Sequence, residues 1–264
     1  MIRVRNLVKK YGDFTAVNDV SFEVQEGEIF AFLGPNGAGK TTTIKILTTL
    51  LKPTSGAVEL DGLDPTVHQN EARKRFGIVF QDPSLDDELT AYENMDFHGV
   101  LYKVPHKIRG ERTEALLKLF ELWDRRDDPV KQFSGGMKRR LEIARGLLHT
   151  PKIVFLDEPT LGLDPQTRNQ LWTHVKKLNE QERVTVFMTT HYMEEAERVA
   201  HRIAIIDHGK IVAQGTSQQL KEQTGADSLE DAFLKLTGST IRDQDASSVD
   251  QMRNIARMFQ RGRR

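Results

Sequence analysis

The chain has 264 residues, with 38 basic and 38 acidic side chains and no cysteine. The balanced charge argues against a nucleic-acid partner, and the lack of cysteine excludes disulfides, thiolate catalysis and cysteine-ligated metals. The eight histidines show no metal-ligand spacing. No apolar run approaches the roughly 20 residues that span a bilayer, and the N-terminus lacks a signal-peptide core. We therefore expect a cytoplasmic protein, for which any membrane-spanning part comes from another polypeptide.

The start of the chain has the alternation of β-structure. Ile2 and Val4 are separated by polar neighbours, a pattern that is typical of half-buried strands. Tyr11 is expected in a loop, where an ordinary half-buried tyrosine and a functional one are equally compatible with its spacing. The apolar run at 29–33 has no helical spacing and therefore predicts a buried strand.

A glycine-rich turn follows this strand, and residues 41–51 carry apolar side chains at helical spacing. The turn matches G-x-x-x-x-G-K-[ST] in the strand–turn–helix context that this motif requires. Its glycines let backbone N–H groups surround a phosphate, and the helix N-terminus directs free donors at the same anion. Lys40 would neutralise the β- and γ-phosphates, and Thr41 would bind Mg²⁺. The segment predicts a nucleotide-phosphate site consisting of Gly34, Pro35, Asn36, Gly37, Ala38, Gly39, Lys40, Thr41 and Thr42.

Three local signals follow the phosphate loop. Residues 58–60 predict a strand that enters an Asp-Gly turn. Asp64 followed by Pro65 predicts a helix start, because Asp is a good N-cap and Pro suits the first helical position. The apolar run at 78–80 predicts another short buried strand, which ends at Gln81.

From residue 83 to about residue 148 the pattern becomes helical. Thr90 and Glu93 predict a capping box, and residues 116–122 contain a second amphipathic segment. A Ser-Gly-Gly sequence at 134–136 precedes a basic helix. Two glycines before a helix make a potential anion site, although Ser-Gly-Gly is also an ordinary loop sequence. The predicted apolar face of the basic helix consists of Leu141, Ala144, Leu147 and Leu148.

An unbroken apolar run at 153–156 predicts a central parallel strand that is covered on both faces. Asp157 and Glu158 follow it, at the strand end where ligands bind in open α/β sheets. Adjacent acids at a buried strand end are costly unless a cation or a reaction uses them, and a metal and a water are the obvious users. Asp164 precedes Pro165 and is sufficiently explained as a helix N-cap.

The last part of the chain contains a strand at 184–188 and a hairpin at 203–212. His191 comes just after the strand, a position more typical of a loop residue than of a catalytic one. Strands that alternate with helices predict an α/β fold. The tail at 251–264 has five arginines and no acid. It predicts a short amphipathic helix that touches a partner subunit or anionic lipid, and a frayed, solvated terminus is an open alternative.

The motifs at 34–41, 81, 134–137, 157–158 and 191 together resemble the ATP-binding subunit of ABC transporters. The resemblance covers about residues 1–238 and leaves 239–264 as a tail. It implies an α/β fold with a P-loop NTPase (RecA-like) core, an N-terminal antiparallel β subdomain and an inserted α-helical signature subdomain at about 83–148. It also implies that the ligands are ATP and Mg²⁺.

The resemblance implies catalytic and metal-binding roles. Gln81 resembles the residue at the end of the Q-loop, which contacts Mg²⁺ or the attacking water and senses the membrane subunit. Asp157 resembles the Walker B metal carboxylate, and Glu158 resembles the general base for water. His191 resembles the switch histidine that contacts the γ-phosphate.

The resemblance also implies a dimer. Tyr11 resembles the aromatic residue that stacks on adenine, and Asp164 the D-loop aspartate. Ser134, Gly135 and Gly136 match the signature motif, which in this family faces the ATP held by a second subunit. A head-to-tail dimer around two ATP molecules, here a homodimer, is the implied assembly. The usual motif is Leu-Ser-Gly-Gly-Gln, whereas Phe and Met stand at its ends here, so one polar contact is lost while the Ser hydroxyl and Gly backbone donors remain.

Residues 89–94 and 229–238 resemble the ABC-2 exporter branch, which includes antibiotic-resistance and sodium-extrusion subunits. This implies a peripheral ATPase on the cytoplasmic face of the cell membrane that drives export through a separate polytopic membrane subunit. An importer subunit and a soluble ATP-switched clamp in translation or DNA repair are the alternatives. Such clamps usually carry two cassettes or a long coiled coil before the signature, whereas about 50 residues separate Gln81 from the signature here.

Overall fold

The computed structural model describes residues 1–238. These residues form a three-stranded sheet in the order β2-β1-β4 and a six-stranded sheet in the order β5-β6-β7-β3-β8-β9. The strands are β1 (Ile2–Tyr11), β2 (Phe14–Val24), β3 (Ile29–Leu33), β4 (Ser55–Leu60), β5 (Phe76–Val79), β6 (Ile153–Asp157), β7 (Thr185–Thr189), β8 (Arg202–Asp207) and β9 (Lys210–Gly215).

Nine α-helices connect and cover these strands within residues 1–238. Short 3₁₀ turns occur at Trp123–Arg125 and Val130–Gln132. The helices are α1 (Lys40–Leu47), α2 (Gln69–Arg73), α3 (Ala91–Leu101), α4 (His106–Leu119), α5 (Gly135–Leu147), α6 (Pro165–Glu182), α7 (Met193–Val199), α8 (Ser217–Thr224) and α9 (Leu229–Thr237). No helix in this part of the chain is long and apolar enough to cross a membrane.

The small sheet is antiparallel, with β1 between β2 and β4. Its apolar face packs against the large sheet, and the ring of Phe22 stacks on that of Phe30 with centroids 5.6 Å apart. The large sheet is parallel except for its edge strand β9, which pairs antiparallel with β8. Every residue of β6 is buried between β5 and β7, as predicted for a central strand.

The strand β3 divides its side chains between two cores. Phe30 and Phe32 face the core shared with the small sheet, whereas Ile29, Ala31 and Leu33 face the helices, as the two-residue period of a strand requires. The core on the helix side of β3 includes the four residues that were predicted as the apolar face of the basic helix. These residues, Leu141, Ala144, Leu147 and Leu148, are all buried. The predicted P-loop α/β fold class is confirmed.

Several local predictions are correct and others are wrong. The Thr90 capping box forms: its hydroxyl accepts from the Glu93 N–H at 3.1 Å, and the Glu93 carboxylate accepts from the Thr90 N–H at 2.8 Å. The helix predicted at Asp64 is absent among the described residues, because the Asp64 carboxylate caps a turn through the N–H of Thr66 instead. Tyr11 ends β1 rather than lying in a loop. The predicted tail, 239–264, lies outside the described residues.

Candidate active site

The glycine-rich turn between β3 and α1 places a lysine at the start of the helix. Gly39 has φ +110°, and a Cβ there would lie 2.6 Å from the carbonyl oxygen of Ala16, so only glycine fits. Lys40 is 5 % exposed and donates hydrogen bonds to the carbonyls of Gly34 at 2.7 Å and Pro35 at 3.2 Å. Burial lowers the pKa of Lys40, and the neighbouring acids oppose that shift. The ammonium group is thus held inside the loop that would surround a phosphate.

The two acids at the end of β6 are buried in front of this loop. Asp157 pairs in register with Thr189 of β7, whose hydroxyl donates to the Asp157 carboxylate at 2.6 Å. Burial raises the pKa of Asp157, while the Thr189 hydrogen bond and the charge of Lys40 lower it in part. A buried carboxylate is a suitable ligand for a hard cation.

Glu158 lies within hydrogen-bond distance of a histidine from the next strand end. Its Oε1 is 2.7 Å from Nε2 of His191, and its backbone has φ +50°. Thr189 holds this unusual backbone, since its carbonyl and its hydroxyl both accept from the Glu158 N–H, at 3.2 and 3.0 Å. Burial raises the pKa of Glu158, but the hydrogen bond and charge of His191, with the charge of Lys40, bring it below its ordinary value. The structure thereby keeps this buried carboxylate ionised.

Thr167 contacts both the Ser-Gly-Gly segment and Asp164. Ser134 is the N-cap of α5 and accepts from the Met137 N–H at 3.3 Å. Asp164 caps α6 by accepting from the Thr167 N–H at 3.0 Å. A Cβ on Gly136 would lie 2.4 Å from Cγ2 of Thr167, so this glycine lets the two helix starts pack together.

Gln81 is held by a buried arginine that the sequence interpretation missed. Arg139 of α5 donates to the carbonyls of Phe80 at 2.6 Å and Gln81 at 2.9 Å, and pairs with Glu142 at 3.0 Å. Burial lowers the pKa of Arg139, and the charge of Glu142 opposes that shift. Arg139 therefore connects the residues after β5 to α5, the helix that begins within the Ser-Gly-Gly segment. The side chain of Gln81 is exposed.

Tyr11 lies beside the phosphate loop at the end of β1. It is 37 % exposed, and the ammonium of Lys9 lies 5.0 Å from its ring centroid. Burial raises the pKa of Tyr11, and a hydrogen bond with Thr42 of α1 partly offsets this shift. The ring therefore lies within reach of α1 and has an accessible surface.

The sequence is similar to a known protein family and to several named proteins. The family described as ABC transporter matches residues 17–161. The chain belongs to the ABC transporter family. It is 39% identical over 252 residues to a daunorubicin resistance ATP-binding protein of Streptomyces coeruleorubidus, covering 91% of this chain and 79% of that protein. It is 41% identical over 255 residues to a linearmycin resistance ATP-binding protein of Bacillus subtilis (strain 168), covering 97% and 80%. A Nod factor export ATP-binding protein of Ralstonia nicotianae is 40% identical over 231 residues, covering 87% and 72%.

Solved structures agree with this ABC fold. The ATP-binding subunit of an ABC transporter superposes with a TM-score of 0.81 at 30% identity, covering 89% of this chain and 99% of that one. A dimeric, post-hydrolysis ATP-binding cassette with bound ADP and Pi gives 0.74 at 31% identity, covering 82% and 98%. This chain is an ABC ATPase that binds and hydrolyses ATP in support of transport. The names of the relatives favour export over import and over a soluble clamp.

Mg²⁺ fits this ABC site. Within residues 1–238, no cluster of three or more His, Asp or Glu side chains could hold a metal by itself. Proteins commonly bind Mg²⁺ through one or two carboxylates together with substrate phosphates. Asp157 supplies such a carboxylate, and Thr41 follows Lys40 at the start of α1.

Thr189 is the second residue that the sequence interpretation missed. It binds both Asp157 and Glu158, yet in the sequence it is only one threonine in a strand. A hydroxyl at the end of β7 can be predicted to bind the two acids at the end of β6 only when it is known that β6 and β7 are neighbours. That order comes from the tertiary structure.

Proposed function

We propose that Glu158 is the general base of an ATPase that drives export through a separate polytopic membrane subunit, at the cytoplasmic face of the membrane. The contact between Glu158 and His191 beside Lys40 carries this proposal. An ionised carboxylate can accept the proton of a water that attacks the γ-phosphate. His191 orients that carboxylate and contacts the γ-phosphate in the bound state. The export direction draws support from the resistance and export names of the relatives.

The remaining residues of the loop bind and neutralise the nucleotide. Lys40 and the backbone N–H groups of the loop hold the phosphates. Thr41, Asp157 and Gln81 hold Mg²⁺, which when bound neutralises phosphate charge. Tyr11 stacks on the adenine, as its exposed ring beside α1 allows.

The second subunit completes the site. In a head-to-tail homodimer, Ser134, Gly135 and Gly136 bind the ATP of the opposite protomer, with Asp164 beside them. The packing of Gly136 on Thr167 supports this assignment, because it holds the starts of α5 and α6 on one surface. Co-purification of the chain from membranes with a polytopic protein tests the proposed partner.

Replacement of the proposed base tests the mechanism directly. Glu158→Gln keeps the shape of the side chain but cannot accept the proton, so turnover should fall by about 10²–10⁴-fold. ATP binding should survive, because Lys40 and Asp157, which hold the phosphates and the metal, remain in place. The variant should accumulate an ATP-bound dimer that size-exclusion chromatography detects with ATP and not with ADP.

Two further variants make this test specific. Asp157→Asn should weaken Mg²⁺-dependent ATP binding itself, in contrast to Glu158→Gln. Glu180→Gln, at an exposed position of α6, should behave as the wild type. A normal rate of hydrolysis in Glu158→Gln would refute the role of Glu158 as base.

A further inference from the structure

Another carboxylate, that of Glu195 in α7, is buried close to the Glu158–His191 contact. Glu195 is 4 % exposed. Its Oε2 accepts from the hydroxyl of Thr160 at 2.8 Å and from the hydroxyl of Thr190 at 3.0 Å. Thr160 comes two residues after Glu158, and Thr190 comes directly before His191. One oxygen atom therefore connects the two loops that carry these residues.

Both loops lie outside regular secondary structure. Glu158 has a left-handed backbone, and Thr190 lies between the end of β7 and the start of α7. Thr160 and Thr190 are each 1 % exposed, so their hydroxyls need a protein partner. The hydroxyl of Thr190 also accepts from the Tyr192 N–H at 3.0 Å. Movement of either loop away from the other would break a buried hydrogen bond to Glu195.

The second oxygen of Glu195 faces a cation. Oε1 has no hydrogen-bond partner among the described residues, and Nη1 of Arg168 lies 3.9 Å away. The same guanidinium lies 4.2 Å from the ring centroid of Tyr192, which follows His191. Arg168 stands in the first turn of α6, after the Asp164 cap. The Glu195 carboxylate thus joins the loops after β6 and β7, and it lies beside the start of α6.

We propose that Glu195 is a positioning residue that sets the placement of Glu158 relative to His191. The inference rests on the catalytic roles proposed for that pair. Among the described residues, the hydrogen bonds of the Glu195 carboxylate go to the hydroxyls of Thr160 and Thr190 and not to Glu158 or His191, so Glu195 acts through those two hydroxyls. Hydrogen bonds to an ionised acceptor are stronger than those to a neutral one, which suits a carboxylate for holding two loops. A purely stabilising role would affect folding and leave turnover unchanged.

The first test is the steady-state hydrolysis of MgATP by the full chain. Glu195→Gln weakens the acceptor and places an NH₂ group among donors and a cation. Small misplacements of reacting groups cost up to about 10²-fold in rate, so kcat should fall by about 10- to 100-fold while KM for ATP changes little. Glu194→Gln is the matched control, because Glu194 is the exposed neighbour on the same helix. It should leave kcat unchanged.

A double-mutant cycle separates positioning from stabilisation. If Glu195 acts by placing Glu158, the loss caused by Glu195→Gln should be absent in the Glu158→Gln background. Equal losses in both backgrounds would overturn the proposal, and so would a normal kcat for Glu195→Gln. If Glu195→Gln fails to fold, Thr160→Val removes one of the two hydrogen bonds with almost no change in shape, and the same cycle applies to it. A normal rate in Glu158→Gln alone would instead refute the proposed base.

Discussion

A half-buried histidine pair predicts a loss of stability in acid. His98 of α3 and His149 after α5 form a triangle of rings with Tyr102, whose ring stacks on that of His149 at 3.9 Å and lies 4.7 Å from that of His98, while the two histidine rings are 5.9 Å apart. Burial lowers the pKa of His98 to about 3 and that of His149 to about 4. Positive charge on Arg145 adds to the shift of His98. The neutral Nε2–H of His149 donates to the Phe76 carbonyl at 3.0 Å.

The sign of the effect follows from these depressed values. An unfolded histidine has a pKa of about 6.5, so below that pH the unfolded chain binds protons that the folded chain does not. Stability is complete above pH 6.5 and is lost as the pH falls toward the folded pKa values of about 3 and about 4. Between pH 7 and pH 5 each histidine should contribute a loss of about 2 kcal/mol in the free energy of unfolding.

Urea unfolding at pH 7, 6 and 5, followed by circular dichroism, measures this loss. In His98→Gln, the decrease between pH 7 and pH 5 should be smaller than in the wild type by about 2 kcal/mol, because one titrating group is gone. His106→Gln, at an exposed position at the start of α4, should follow the wild type. If the wild type and His98→Gln lose stability in parallel, the depressed pKa assigned to His98 is wrong.

Two further predictions concern the nucleotide site. Stacking of a base on an aromatic ring is worth about 1–3 kcal/mol in nucleic-acid systems, so Tyr11→Ala should weaken ATP binding several-fold or more in a calorimetric titration. Tyr11→Phe keeps the ring and should bind ATP nearly as the wild type does. Wild-type affinity in the alanine variant would exclude stacking. Gly39→Ala should abolish ATP binding, because its Cβ would clash with backbone at 2.6 Å. A Cβ on Gly37 would meet nothing within 4 Å, so Gly37→Ala should weaken ATP binding only by the backbone strain of a left-handed alanine, about 1–2 kcal/mol. Equal effects of Gly37→Ala and Gly39→Ala on ATP binding would contradict the steric argument.

Local sequence signals identified the parts of the fold and of the site that close within a few residues. The Thr90 capping box and the Asp164 cap each form between residues three apart, so the chain needs no tertiary contact to specify them. The phosphate loop is likewise continuous in sequence. The Asp64 prediction was wrong for a related reason, since the same carboxylate can cap a turn or a helix and the sequence favours neither strongly.

Contacts between distant residues were decided only by the tertiary structure. His191 was expected to be an ordinary loop residue from its spacing, and no pattern singled out Thr189, Arg139 or Glu195. Asp157 and Thr189 are 32 positions apart, and they meet because β6 and β7 pair in parallel in one register. A strand's own sequence specifies which of its residues are buried, but its neighbour and register come from the packing of the whole sheet. Sequence alone therefore determined the loop, the caps and the acids, whereas the folded sheet decided which hydroxyl, histidine and buried carboxylate would lie around Glu158.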